Sequence, residues 1–305
     1  MQVSALSDQL GFGAVVAGLL PADLADPDMV TQLQQLWAER GLILFRDTPD
    51  TPEFQLELSR CFGELDRHPV REIWVDGHAE LISLISRPES GSIVAMDGRE
   101  VAGWIPWHAD TVYVPRMNRG GILRVIRSTT WGGNTGFIDR IDAYDRLPPH
   151  LRMALDGREI VYRLETLDRS IPARKQNVRM VRFRASTKAL SPRSQEDFPP
   201  VAHPAVRIDE ASGRKILNLS PLFAQCVLGM PRAESDGLLD ELVDHIDACP
   251  AYLHSWQTGD MILWDNWRML HSVSGAPTDE VRIMQRTTIG GDRTTGRVLG
   301  EDALR

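Results

Sequence analysis

With 305 residues, 42% of them hydrophobic and 25% charged, the chain has the composition of a globular protein with a full core, in one large domain or two. A net charge of −8 disfavours nucleic acid as the general partner. No run of about eighteen apolar residues is present to span a membrane, and three scattered cysteines (Cys61, Cys226, Cys249) argue against a disulfide framework or a thiolate zinc site.

The N-terminus, Met1-Gln2-Val3-Ser4-Ala5, has no basic region followed by an apolar segment, so a cytoplasmic protein with a small-molecule ligand is expected. Residues 28–39 alternate apolar and polar side chains at helical spacing, and Gly41 ends the pattern. Leu42-Ile43-Leu44-Phe45 reads as a short buried strand. Thr51-Pro52-Glu53 opens a second helix running towards Cys61-Phe62-Gly63. Short apolar runs bounded by Gly, Pro and Asn follow, such as Gly121 to Ile126 and Lys215 to Leu219. Two more helices are predicted, from Asp142 or Ala143 to Leu155 and from Ala233 to Ala248. Many short strands with a few helices predict a mainly β fold, a jelly-roll sheet pair with helical additions.

Residues 163–193 reverse the local sign of charge, with Arg163, Arg169, Arg174, Lys175, Arg179, Arg182, Arg184, Lys188 and Arg193. This stretch, extended to about residue 200, is either a solvated insertion or a lid whose charge helps to hold an anion.

Three residues carry the chemistry. His108 and Asp110 lie in Trp107-His108-Ala109-Asp110, and His271 closes Trp264-Asp265-Asn266-Trp267-Arg268-Met269-Leu270-His271. Two imidazoles and a carboxylate can cap one face of an octahedral metal and leave the rest open, as non-haem Fe(II) oxygenases require. Residues i and i+2 of a strand share a face, so His108 and Asp110 can reach one metal from a strand or its end. Alone, His-x-Asp in a chain with eight histidines is unremarkable. Downstream, Arg282 and Arg286 would share a strand face, and a planar guanidinium pairs with a carboxylate through two parallel bonds. Gly132-Gly133-Asn134-Thr135 supplies a hydroxyl for the same purpose or simply turns into a strand.

Taken together these segments resemble the Fe(II)- and 2-oxoglutarate-dependent dioxygenases of the taurine dioxygenase and 2,4-dichlorophenoxyacetate dioxygenase (TauD/TfdA) family. The likeness includes Arg40 to Asp47, Cys61 to Leu65 with His68-Pro69, and the two metal motifs. It also includes His203-Pro204-Ala205-Val206-Arg207, Ser212 to Lys215 and Gly259-Asp260. The resemblance implies one domain with a double-stranded β-helix (jelly-roll, cupin-like) fold, and His108, Asp110 and His271 as iron ligands. It implies that Arg282 and Thr135 hold the distal carboxylate of 2-oxoglutarate, and that Arg286 and His68 bind an anionic substrate. Phe223 matches an aromatic wall of the substrate pocket. Trp107 is expected beside the ligand strand, and Asp265 and Asn266 are expected to brace the strand that delivers His271.

The implied reaction uses O₂ and 2-oxoglutarate, releases succinate and CO₂, and hydroxylates a sulfonate, sulfate ester or aryloxyalkanoate, with fragmentation of the product. The retained Asp110 speaks against the halogenase variant. Two departures from the taurine-type pattern point to a different substrate body. The stretch before His108 is longer, including Arg87 to Glu100, and Trp104 stands where a small polar residue is usual. They favour a bulkier or more apolar substrate, or the alternative of a biosynthetic hydroxylase or desaturase acting on an amino-acid-like or natural-product molecule. A non-catalytic metal-binding jelly roll is the remote alternative. The family also implies a dimer or tetramer, for which no segment marks an interface.

Overall fold

The computed structural model of the protein describes residues 1–68, 71–183, 198–300 and 302. The first long helix spans Pro27–Arg40: Asp26 accepts from the Asp28 amide, Pro27 supplies a ready-made helical φ, and Gly41 stops the helix at φ 70. Leu42–Arg46 follows at once, with its first four residues buried. It runs parallel to Ala14–Ala17 and antiparallel to Met261–Asp265, and burial on both faces explains its unbroken apolar run. Thr51 caps the helix Pro52–Arg60 through the Phe54 amide.

Eight strands form the larger sheet, in the order Gln2–Ala5, Ala14–Ala17, Leu42–Arg46, Met261–Asp265, Gly120–Arg127, Arg282–Ile289, His78–Ser86 and Trp74–Val75. A smaller sheet is ordered Tyr252–His254, Thr135–Asp139, Met269–Val273 and Ile105–His108. Leu42, Leu44, Val125, Ile262, Trp264 and Met284 from the first sheet pack on Phe137 and Met269 from the second. Leu33, Trp37, Phe54 and Leu58 of the two N-terminal helices cover the far side of the large sheet at Ile43, Phe45, Ile122 and Leu263. Tyr144, Leu151, Leu239 and Leu242 cover the far side of the small sheet at Ile138 and Leu270. Two facing sheets between helical layers make the expected jelly roll.

The helix expected from residue 142 to 155 is two helices, Arg140–Asp145 and Pro149–Leu155, the first capped by Asp139 rather than by Asp142. Pro148 and Pro149 lack the amide hydrogens that a continuous helix needs and bias the residues before them away from helix. The later helix is Arg232–Asp247. The strand expected to reach Leu219 ends at Leu217, in a hairpin with Val206–Ile208.

The longer stretch before His108 forms a hairpin, Ile93–Met96 with Arg99–Ala102, whose two-residue turn is Asp97-Gly98, both at positive φ. The basic segment supplies its third strand: Arg179–Arg182 pairs with Ile93–Met96. Trp104, Val94, Val101 and Ala173 are buried together at the junction. In its described part the basic segment holds a 3-10 turn, a short helix and this third strand, and several of its charges meet partners within the chain. Arg174 bonds Asp240, Lys175 lies 2.9 Å from Asp244, and Arg182 donates to the Gly91 carbonyl. Arg184, Lys188 and Arg193 lie outside the described residues.

Candidate active site

The smaller sheet delivers both histidines. His108 ends its strand directly opposite His271 on the neighbouring strand, and the two rings are 4.0 Å apart. Asp110 sits beyond the strand end, in a turn, with each carboxylate oxygen 3.6 Å from one histidine Nε2. Ligand atoms from all three residues lie within 4.8 Å of one another, close enough to share a metal ion. The His108 Nδ1 lies 2.8 Å from the Pro106 carbonyl. A carbonyl accepts only, so Nδ1 carries the hydrogen and the Nε2 lone pair faces the cluster.

The turn after His108 is under strain. Thr111 sits at φ 54, a costly backbone region for a β-branched residue. Asn266 holds it there. Its Oδ1 accepts from the Asp110 amide at 2.8 Å, while its Nδ2 donates to the Asp110 and Asn118 carbonyls at 3.0 and 3.1 Å. Thr111 and Asn118 close the turn with hydroxyl and amide bonds of 2.7 and 3.0 Å. Asn266 thus clamps Asp110, rather than the strand that delivers His271 as the sequence suggested. Asp265 accepts from the Trp267 amide and pairs with Arg119.

Electrostatics favours the ligand forms. Burial alone would raise the Asp110 carboxyl, but Arg286 first, then His271 and His108, hold it well below the usual carboxylate range. Burial, with His108 adding to it, pushes the His271 imidazole well below the ordinary histidine value, so it stays neutral.

Arg286 and Arg282 both extend from the strand Arg282–Ile289, with Met284 between them buried among the core residues that join the two sheets. Arg286 donates to Asp110 Oδ2 at 2.6 Å and lies 5.0 Å from the Trp264 ring, which itself flanks His271. Arg282 packs over Gly133, where φ is 63 and a Cβ would fall 3.0 Å from the Arg282 Nε, so that position requires glycine. The Arg282 Nη2 is buried with no partner among the described residues, and burial lowers the guanidinium to about 10. An orphaned buried cation calls for an anion. Thr135, two residues after Gly133, is 1% exposed and accepts from Trp256 Nε1 at 3.0 Å. These residues fit the distal carboxylate of a 2-oxo diacid.

An aromatic wall closes the His108 side. The Phe223 ring stands edge-on 6.3 Å from His108, and Tyr113 is 5.0 Å from Phe223 and 5.5 Å from Phe198. Sequence reasoning missed Tyr113 and Phe198. The signal for Tyr113 was an aromatic three places beyond Asp110, on the turn that leaves the site. Burial and the Asp110 charge push the Tyr113 hydroxyl up to about 12. Trp104 lies in the cluster under the three-stranded sheet, and Trp107 packs over Gly136 beside the ligand strand. His68 is half-buried, its carbonyl accepting from Trp74 Nε1, and Pro69 after it lies outside the described residues.

Two facing sheets with a His-Asp-His cluster at one end, backed by a buried arginine, define the class of 2-oxo-acid-dependent oxygenases. The sequence profile described as "Taurine catabolism dioxygenase TauD, TfdA family" matches residues 2–288. The chain belongs to this family and is an alpha-ketoglutarate (2-oxoglutarate)-dependent dioxygenase. It is 32% identical over 294 residues to the (S)-phenoxypropionate/alpha-ketoglutarate-dioxygenase of Sphingobium herbicidovorans, covering 94% of this chain and 95% of that one. It is 31% identical over 271 residues to the alpha-ketoglutarate-dependent 2,4-dichlorophenoxyacetate dioxygenase of Cupriavidus pinatubonensis, covering 85% and 88%. Among solved structures, a taurine dioxygenase from Burkholderia xenovorans superposes with a TM-score of 0.71 at 27% identity, covering 99% of this chain and 92% of that chain. No described helix is long and apolar enough to cross a membrane.

Proposed function

We propose that the protein hydroxylates an aryloxyalkanoate at the carbon that bears the ether oxygen. In this reading His108, Asp110 and His271 hold Fe(II), Arg282 and Thr135 hold the distal carboxylate of 2-oxoglutarate, and Arg286 pairs with the substrate carboxylate. Tyr113, Phe198 and Phe223 form the slot for the aryl ring, whereas Trp104, buried under the three-stranded sheet, would act on it only by shaping that sheet. When bound, iron with 2-oxoglutarate and O₂ supplies the oxidation, yielding succinate, CO₂ and one oxygen atom for the substrate. A hydroxyl on the ether carbon makes a hemiacetal or hemiketal, which releases a phenol. The chain's own work is positioning. Arg286 and the aromatic slot fix the ether carbon, and the buried Arg282 fixes the co-substrate.

The observation that carries this reading is the edge-on aromatic group beside His108, at a triad whose Asp110 carboxylate already takes a bond from an arginine. The test is succinate and phenol release by the Fe(II) enzyme. The panel holds aryloxyalkanoates of both configurations, alkyl sulfonates, alkyl sulfate esters and N-acylated amino acids. Phenol matching succinate one for one with an aryloxyalkanoate supports the proposal. Succinate that no member of the panel accelerates rejects this substrate class and turns the search to a biosynthetic substrate.

A further inference from the structure

We infer that Trp256 is a positioning residue for 2-oxoglutarate, acting through the Thr135 hydroxyl. The inference rests on the reading that Thr135 and Arg282 hold the distal carboxylate. The Trp256 indole donates from Nε1 to Thr135 Oγ1 at 3.0 Å, with both side chains buried. An indole nitrogen only donates, whereas a hydroxyl has one hydrogen and two lone pairs. The indole therefore occupies a lone pair, and the Thr135 hydrogen must point elsewhere. Among the described residues no oxygen accepts it. A carboxylate, which only accepts, completes the chain from indole to hydroxyl to anion, and each bond in such a chain polarises the next.

The indole is itself held in place. His254 stands edge-on to it, with centroids 4.5 Å apart and planes at 87°. The His254 Nδ1 lies 3.0 Å from the Tyr252 hydroxyl, and its Nε2 lies 3.1 Å from Asp260 Oδ2. Asp260 accepts from Arg46 at 3.0 Å and from the Gln257 amide at 3.2 Å. His254 is also the strand partner of Thr135. The same short segment thus sets both ends of the Trp256–Thr135 bond.

Trp256→Phe keeps a ring against His254 and removes only the donor. The test is calorimetric titration of the full-length protein, loaded with Mn(II), with 2-oxoglutarate and with 2-oxopentanoate, which has the same head and no distal carboxylate. The expected result is about tenfold weaker 2-oxoglutarate binding with 2-oxopentanoate unchanged, the size expected when a hydrogen bond to a charged group loses its support. Thr135→Val should show the same selectivity, and adding Trp256→Phe to it should weaken binding no further. Equal weakening of both ligands by Trp256→Phe, or of neither, overturns the inference while the carboxylate anchor stands. Unchanged 2-oxoglutarate binding in Arg282→Ala overturns the anchor, and the inference with it. Should Trp256→Phe fold poorly, the indole N–H resonance of the unsubstituted Zn(II)-loaded protein decides. A shift with 2-oxoglutarate but not with 2-oxopentanoate supports the inference, and identical responses to the two ligands overturn it.

Discussion

Arg286 donates to Asp110 Oδ2 at 2.6 Å while its guanidinium lies 5.0 Å from the Trp264 ring. One arginine therefore touches both the carboxylate of the triad and the tryptophan that flanks His271. In the proposed reading the same guanidinium meets the substrate anion. Arg286→Ala is expected to raise the Michaelis constant for an anionic substrate and also to weaken Mn(II) binding about tenfold, as removing the partner of a metal ligand commonly does. Calorimetric metal titration checks it. Metal affinity equal to that of the unsubstituted protein would limit Arg286 to the substrate.

Asn266 has the densest contacts of any side chain around the turn, with bonds to the Asp110 amide and carbonyl and to the Asn118 carbonyl and side chain. It is fully buried. Asn266→Ala leaves those largely buried groups without their partner, at a cost of about 3 kcal/mol. It also frees Thr111 from its strained φ. A lower denaturation midpoint and weaker metal binding should appear together. A fall in stability with metal affinity unchanged would show that Asn266 serves the fold alone.

How much of this was legible in the sequence depends on the range of each interaction. The helix Pro27–Arg40 was readable because its cap, its spacing and Gly41 are local signals. The triad was readable because His-x-Asp and a distant His form a sparse pattern within an ordered set of motifs. The break at Pro148-Pro149 was written in the sequence but was overridden by the apolar spacing around it. The clamp from Asn266 to Asp110 spans 156 positions, and nothing local to either residue announces it. The same holds for the three-stranded sheet, whose third strand comes from the basic segment. Side-chain spacing gives an element its face but not its partner.

Trp104 tests that sheet. It is buried with Val94 and Val101 of the hairpin and Ala173 ahead of the third strand. Trp104→Ala should cost about 3 to 5 kcal/mol through the cavity it leaves. Amide exchange should then speed up together in Ile93–Met96, Arg99–Ala102 and Arg179–Arg182, because the three strands share one small core. Faster exchange in the hairpin alone would show that the third strand stands without it.

His203 gives the protein a defined acid sensitivity. Burial first, then Arg207 and Arg140, lower its imidazole from 6.5 to about 4, with the backbone carbonyls of Val112 and Val114 opposing. The unfolded chain binds a proton there that the folded chain refuses. Its contribution to stability is thus complete above pH 6.5 and is lost as pH falls to about 4. The loss amounts to about 3 kcal/mol. Denaturant titration of His203→Asn beside the unsubstituted protein at pH 7 and pH 4.5 should show a smaller acid loss in the variant. Equal losses would mean that other groups set the acid limit.

The most direct test of the site is an anaerobic titration of the Fe(II)-loaded protein with 2-oxoglutarate, followed by visible absorbance. A charge-transfer band that saturates in the unsubstituted protein is the expected result. It should be absent in His271→Ala and should need far more 2-oxoglutarate in Arg282→Ala. A band of unchanged strength and midpoint in both variants would contradict the placement of iron at His108, Asp110 and His271 and of the co-substrate at Arg282.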